Sequence, residues 1–155
     1  MQVSWSVLAV CLLLHAILCL TFVKQINMAE RATLWMLDED KKTLWSQVRQ
    51  DGVVQAPVEG SIVGHCIKTG QVVNVENAYE NEHFHADIDK QTGFHTESVL
   101  VVPVLSEDGG VIGAIQMINK KDENGKTCLF EECDIKIVQM LCKHVSSFLR
   151  IVQSD

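Results

Sequence analysis

Two histidines and two aspartates alternate as His83, His85, Asp87 and Asp89, an H-x-H-x-D-x-D pattern. On a strand, alternate residues share a face, and four such groups together are a metal-ligand set. On a helix or in a loop they scatter, and with Glu76, Glu80 and Glu82 they form a solvated acidic surface instead. Just beyond, Thr92, Gly93, Phe94 and Thr96 combine two hydroxyl donors with a turn and an aromatic anchor. Gln116 lies between Ile115 and Met117, so on a strand its amide points away from both, toward solvent or a pocket. The six cysteines (11, 19, 66, 128, 133 and 142) contain no C-x-x-C pair, which gives neither a zinc spacing nor a disulfide framework. Cys66, Cys128, Cys133 and Cys142 are expected to be reduced packing residues, and no metal centre or cofactor is expected. No G-x-S-x-G, G-x-x-x-x-G-K-[ST] or H-E-x-x-H motif occurs, so no catalytic residue is assigned.

The elements that position these residues follow from pattern. Residues 24–32 (KQINMAERA) lack Pro and Gly and continue a helix that starts in the apolar run before them. Residues 33–37 and 43–49 read as strands around a charged loop, and an irregular loop holds Gly52, Pro57 and Gly60. Ser61 is an N-cap for a short helix that Gly70 ends in a left-handed conformation. Residues 72–75 form a short buried strand, 76–97 a long polar segment, and 98–105 and 111–119 two strands joined by the turn at 107–110. The last helix carries Phe130, Cys133, Ile137, Leu141, Val145, Phe148 and Val152 at steps of three and four, one apolar face. This order predicts an α+β module with a central antiparallel sheet of about six strands, helices on both faces and a long C-terminal helix.

The 155 residues suit one domain. A net charge of −7 argues against nucleic acid, which needs an excess of Lys and Arg against phosphate. No charged side chain precedes Lys24. Residues 5–23 (WSVLAVCLLLHAILCLTFV) are nearly all apolar, and a bilayer core takes about 20 such residues. The run reads as a membrane helix, a buried first helix, a signal peptide without a basic leader, or a misplaced start. As a membrane anchor, with Lys24 and Arg31 on its C-terminal side, it would place residues 24–155 in the cytoplasm.

From residue 29 to 152 the chain resembles a GAF domain of the kind found in cyclic-nucleotide phosphodiesterases and adenylyl cyclases. The resemblance is strongest over residues 60–104 and over GAIQMINKK (113–121), followed by Phe130 and Asp134. AERATLWMLD (29–38) fits the family's first strand, against the helix that propensity alone gives residues 29–32. The cyclic-nucleotide-binding members carry Asn-Lys, a variable gap, then Phe, three residues and Asp-Glu. Here these are Asn119, Lys120, Phe130 and Asp134, with Ile135 where Glu is expected. The resemblance implies that Lys120 at a strand end pairs with Asp134 at a helix start, a structural lock of strand, helix and lid. It further implies polar ligand contacts from Thr33, Asp89, Thr92, Thr96 and Gln116, backbone contacts from Ile62 and Val63, and His85 at a position often aromatic. Thr92 and Thr96 would donate to a cyclic phosphate, the amino end of a short helix over residues 89–92 would receive the anion, and Asp89 and Gln116 would read the purine. Arg49 and Gln50 stand where the family often stacks the base on a Phe.

The implied function is a regulatory module without a catalytic domain. It would bind cyclic AMP or cyclic GMP, close residues 76–97 as a lid and shift its terminal helices. Its partners would be a dimer mate or an effector. The alternatives are a ligand-free dimerisation module and part of a longer cyclic-nucleotide phosphodiesterase.

Overall fold

The structure, a computed structural model, describes residues 7–48 and 52–153; the side chains at 7–13, 47–48, 52, 88, 91–92 and 151–153 lie outside the description. The order is α1 (Val7–Ile26), β1 (Ala29–Leu37), β2 (Thr43–Val48), β3 (Gly52–Pro57), α2 (Ile62–Thr69) and β4 (Val73–Val75). A 3-10 turn (Ala78–Glu80) follows, then α3 (Asp87–Thr92), β5 (Val99–Leu105), β6 (Val111–Lys121), β7 (Thr127–Cys128) and α4 (Glu132–Gln153). One antiparallel sheet runs β3-β2-β1-β6-β5-β4, with β7 added to β6.

Helices cover both faces of the sheet because β5 is apolar on both and β1 and β6 each bring apolar residues to both. One face carries Ala32, Leu34, Leu100, Val102, Ile115 and Met117 against α1 and α4, with Val23, Phe130, Val138, Leu141, Cys142 and Val145 packed on it. The other carries Trp35, Leu37, Val99, Val101 and Ala114 against Ile62, Val63, Cys66 and Ile67 of α2 and Phe84 of the polar segment. Period-2 alternation thus sorts each strand into two separate cores.

Local signals set α2 as expected. Ser61 is extended, and its hydroxyl accepts the Gly64 N–H at 2.9 Å. Gly70 ends the helix at φ 66°, donating its N–H to the Cys66 carbonyl. Gly64 is required by proximity, since a Cβ there would lie 1.6 Å from the Val58 carbonyl oxygen.

Four expectations need correction. The first helix stops at Ile26, and residues 29–32 extend β1, with Ala29 opposite Lys120 and Arg31 opposite Ile118. Pairing with β6 outweighs the helix propensity of the AERA stretch, and Met28 turns the chain at φ 51°. The irregular loop at 52–57 is instead strand β3, held by a full register with β2. The apolar face of the last helix holds in part: Phe130, Leu141 and Val145 are buried and Ile137 packs on the core, but Cys133 is exposed and Val138 and Cys142 join the buried stripe instead.

The membrane-anchor reading, one of those left open for residues 5–23, is the fourth. Among the described residues no helix is long and apolar enough to cross a membrane. Cys19, Leu20 and Val23 of α1 pack instead into the α4 side of the core. At the foot of α1 the fully buried Asn27 side chain finds no hydrogen-bond partner among the described residues.

Candidate functional site

The sheet face under α2 gathers several of the residues singled out in the sequence. Thr33 on β1 lies opposite Gln116 on β6, and Gln116 lies opposite Val101 on β5. Alternation puts Arg31, Thr33 and Trp35 on the same side of β1. The Trp35 indole donates to Gln116 Oε1 at 2.9 Å, which fixes the amide and leaves its NH2 group pointing elsewhere. Ile62 and Val63 are buried in the first turn of α2, where helix geometry gives their N–H groups no intrahelical acceptor. Trp35 was not singled out by the sequence reading, although its place two residues beyond Thr33 on a strand was the available signal.

The segment 76–97 closes over this face and is tied down by its own side chains. Asp89 is buried; its carboxylate accepts the Thr96 N–H at 2.6 Å, the Thr96 hydroxyl at 2.8 Å and the Tyr79 hydroxyl at 3.0 Å. Burial first, and the Asp89 carboxylate second, push the Tyr79 phenol upward in pKa, so it remains a donor. The Tyr79 ring stacks on His95 at 4.9 Å and tilts against Phe84 at 5.0 Å. Arg31 holds its guanidinium 3.6 Å above the Phe94 ring. Asp89 and Thr96 therefore clasp the segment shut.

The helix in this segment begins at Asp87, so Asp89 lies in its first turn and Thr92 at its end. The amino end of this helix thus lies at Asp87, two residues before the expected 89–92, with Asp87 and Asp89 in its first turn and Gly93 ending it at φ 69°. The Thr92 side chain, like Arg49 and Gln50, lies outside the described residues. His85 is exposed beside Gly60, where a Cβ would lie 3.0 Å from its Nε2. His83 stacks on His65 with ring centroids 4.2 Å apart, and the H-x-H-x-D-x-D pattern runs from a loop into α3, not along a strand.

At the far end of β6, Asn119 is buried at φ 56°. Its Oδ1 accepts the Glu97 N–H at 2.7 Å, and its Nδ2 donates to the His95 carbonyl and to Glu30 Oε2, each at 2.7 Å. Lys120 reaches the buried Asp134 carboxylate directly and Glu131 at 3.3 Å. Burial alone would lower the Lys120 pKa; Asp134, then Glu131, outweigh it and raise it. Asp134 also accepts the Glu131 N–H at 2.7 Å, closing the first turn of α4. The fully buried Phe130 stands just before that turn, and its carbonyl accepts Asn74 Nδ2 at 2.9 Å. Asn119, Lys120, Phe130 and Asp134 thus join the sheet, the exit of segment 76–97 and the start of α4.

The arrangement is an antiparallel sheet with a helix and a clasped segment over one face and the terminal helices over the other. Residues 14–149 match the GAF domain family, and the chain belongs to it. It is similar to the dual 3',5'-cyclic-AMP and -GMP phosphodiesterase 11A of Takifugu rubripes, 35% identical over 135 residues that cover 78% of this chain and 15% of that protein. It is also similar to the probable 3',5'-cyclic phosphodiesterase pde-5 of Caenorhabditis elegans, 34% identical over 118 residues, covering 66% of this chain and 16% of that one. The chain therefore spans about a sixth of the curated relatives it matches. Among solved structures, the GAF domain of an Acinetobacter phosphoenolpyruvate-protein phosphotransferase superposes with TM-score 0.71 at 20% identity, covering 87% of this chain and 79% of that one. A type II free methionine-R-sulfoxide reductase from Thermoplasma acidophilum gives 0.70 at 15% identity, covering 92% and 94%; at such identities the likeness is one of fold alone.

Proposed function

We propose that this GAF domain is a regulatory module that takes a cyclic nucleotide, cyclic AMP or cyclic GMP, between the Thr33–Trp35–Gln116 face, the first turn of α2 and segment 76–97. The observation that carries this reading is the convergence of Thr33, Gln116 and the Ile62 and Val63 amides on one side of the sheet. The likeness to two cyclic-nucleotide phosphodiesterases supplies the ligand class. Thr33 and Gln116 contact the ligand in this reading, and Asp89 and Thr96 act as the clasp that holds the lid over it. Lys120 and Asp134 carry the lid's position to α4. Titration calorimetry of the full chain with each nucleotide tests it. Gln116→Ala should weaken binding by roughly tenfold, the value of about one hydrogen bond. No heat with either nucleotide in folded protein overturns the reading.

A second reading, a ligand-free dimerisation module, is favoured by one observation. Leu14, Leu18, Phe22 and Ile26 form a stripe on α1 that is 56%, 62%, 63% and 48% exposed. Sedimentation equilibrium separates the two, since this reading expects a dimer whose dissociation is unchanged by either nucleotide. An enzymatic thiol is disfavoured at Cys66 and Cys142, whose pKa values burial pushes up to about 12, the opposite of a reactive thiolate.

A further inference from the structure

Across the sheet from the proposed ligand site, α1 and α4 bring together three side chains that bind transition metals. His15 and Cys19 stand one turn apart on α1 and so project from the same side; His144 comes from α4. His15 Nε2 lies 3.2 Å from His144 Nε2 and 3.4 Å from Cys19 Sγ, and the three atoms all fall within 4.8 Å of one another. A neutral ring nitrogen offers one proton or one lone pair, so His15 Nε2 serves two facing partners incompletely. A cation among the three would serve them all.

We propose that His15, Cys19 and His144 form a site for a divalent transition-metal ion of the zinc class, with water in the fourth position. Tetrahedral zinc, with Zn–N of about 2.0–2.1 Å and Zn–S of about 2.3 Å, has N···N edges of about 3.3–3.4 Å and N···S edges of about 3.6 Å. The two close distances already approach those edges. Two imidazoles and a thiolate suit zinc and its neighbours and exclude the hard cations calcium and magnesium, which take oxygen. Phe148 walls the site, its ring centroid 5.0 Å from that of His15 and 4.4 Å from that of His144. Both histidines are exposed and Cys19 is half-buried, so an ion has a path in. On binding, the Cys19 thiol gives its proton to solvent and both imidazoles stay neutral. The bound ion would staple α1 to α4. The second cluster of similar residues, Glu131, Cys133 and Asp134, is engaged with Lys120 and the first turn of α4.

The test uses the full chain, reduced and stripped with a chelator. Cobalt(II) should bind once per chain with a near-ultraviolet thiolate-to-metal charge-transfer band, and zinc should displace it. Cys19→Ser should abolish the band and, like His144→Ala, weaken zinc at least about tenfold in competition with a chromophoric chelator. His83→Ala, in the separate stacked pair with His65, should leave binding unchanged. Zinc should also raise the melting temperature of the wild type but not of Cys19→Ser. The proposal is overturned by absence of the band in folded wild type, by its survival in Cys19→Ser, or by equal losses in His83→Ala and His144→Ala. Circular dichroism checks each variant, and His144→Gln replaces His144→Ala if the latter does not fold.

Discussion

Asn119 holds three segments with one side chain, and its backbone at φ 56° is a conformation that asparagine tolerates better than most residues. Asn119→Ala strands the part-buried Glu97 N–H and His95 carbonyl and should cost about 1–3 kcal/mol in urea unfolding. Asn119→Gly also loses the hydrogen bonds but accepts the backbone, so it should cost about 1 kcal/mol less. Equal losses would show that the backbone angle is immaterial. Glu30 gives a pH signature at the same joint. The Asn119 hydrogen bond first, partly offset by burial and reinforced by Lys121, lowers its pKa below the ordinary carboxylate value. Its stabilisation is therefore complete above the ordinary carboxylate pKa and lost as pH falls through the lower folded value. Glu30→Gln should flatten the acid limb of stability against pH, and an unchanged slope would remove Glu30 from the account. The types of Asn119, Lys120 and Asp134 were legible as a motif. That Asn119 reaches Glu30 and His95 was not, because those contacts join residues far apart in the chain.

The start of α4 is tied to the sheet by an ion pair. Lys120 at the end of β6 meets Asp134 in the helix's first turn, and Asp134 is buried. Lys120→Met leaves that carboxylate without its cation and should destabilise by about 3–5 kcal/mol, whereas adding Asp134→Leu should restore most of the loss. A double variant no more stable than the single one would show that Asp134 matters for capping and not for the pair. Elements governed by neighbours in sequence were legible: the Ser61 cap, the Gly70 stop and the turn before β6 depend on local hydrogen bonds and φ angles. Elements governed by partners across the sheet were not. Residues 29–32 favour a helix on their own, and residues 52–57 carry Gly and Pro, yet register with β6 and β2 makes both strands.

At the scale of the molecule, α1 is the part left most open by its sequence. A run apolar on most sides reads as a bilayer helix or a buried first helix, and Cys19, Leu20 and Val23 close the core beneath α4. Deleting residues 1–26 should lower stability by at least about 3 kcal/mol, the burial of Val23 with its neighbours, and expose the α4 side of the core to a hydrophobic dye. Unchanged melting would mean that α1 is not part of the folded unit. The same helix leaves its Leu14–Leu18–Phe22–Ile26 stripe outward and brings His15 and Cys19 to His144.

What the residues determined unaided is the order of strands and helices and the punctuation, above all where α2 starts and stops. Those follow from periods of two and 3.6 and from local backbone energetics, while the motif and its implied pocket came from the resemblance to a family. The tertiary structure decided which polar groups find partners. It turned Asp89 and Thr96 toward each other, paired Trp35 with Gln116 and set the α1 ligands against α4. Such choices depend on distances between segments remote in sequence, where burial makes an unmet hydrogen bond costly and selects the arrangement that satisfies it.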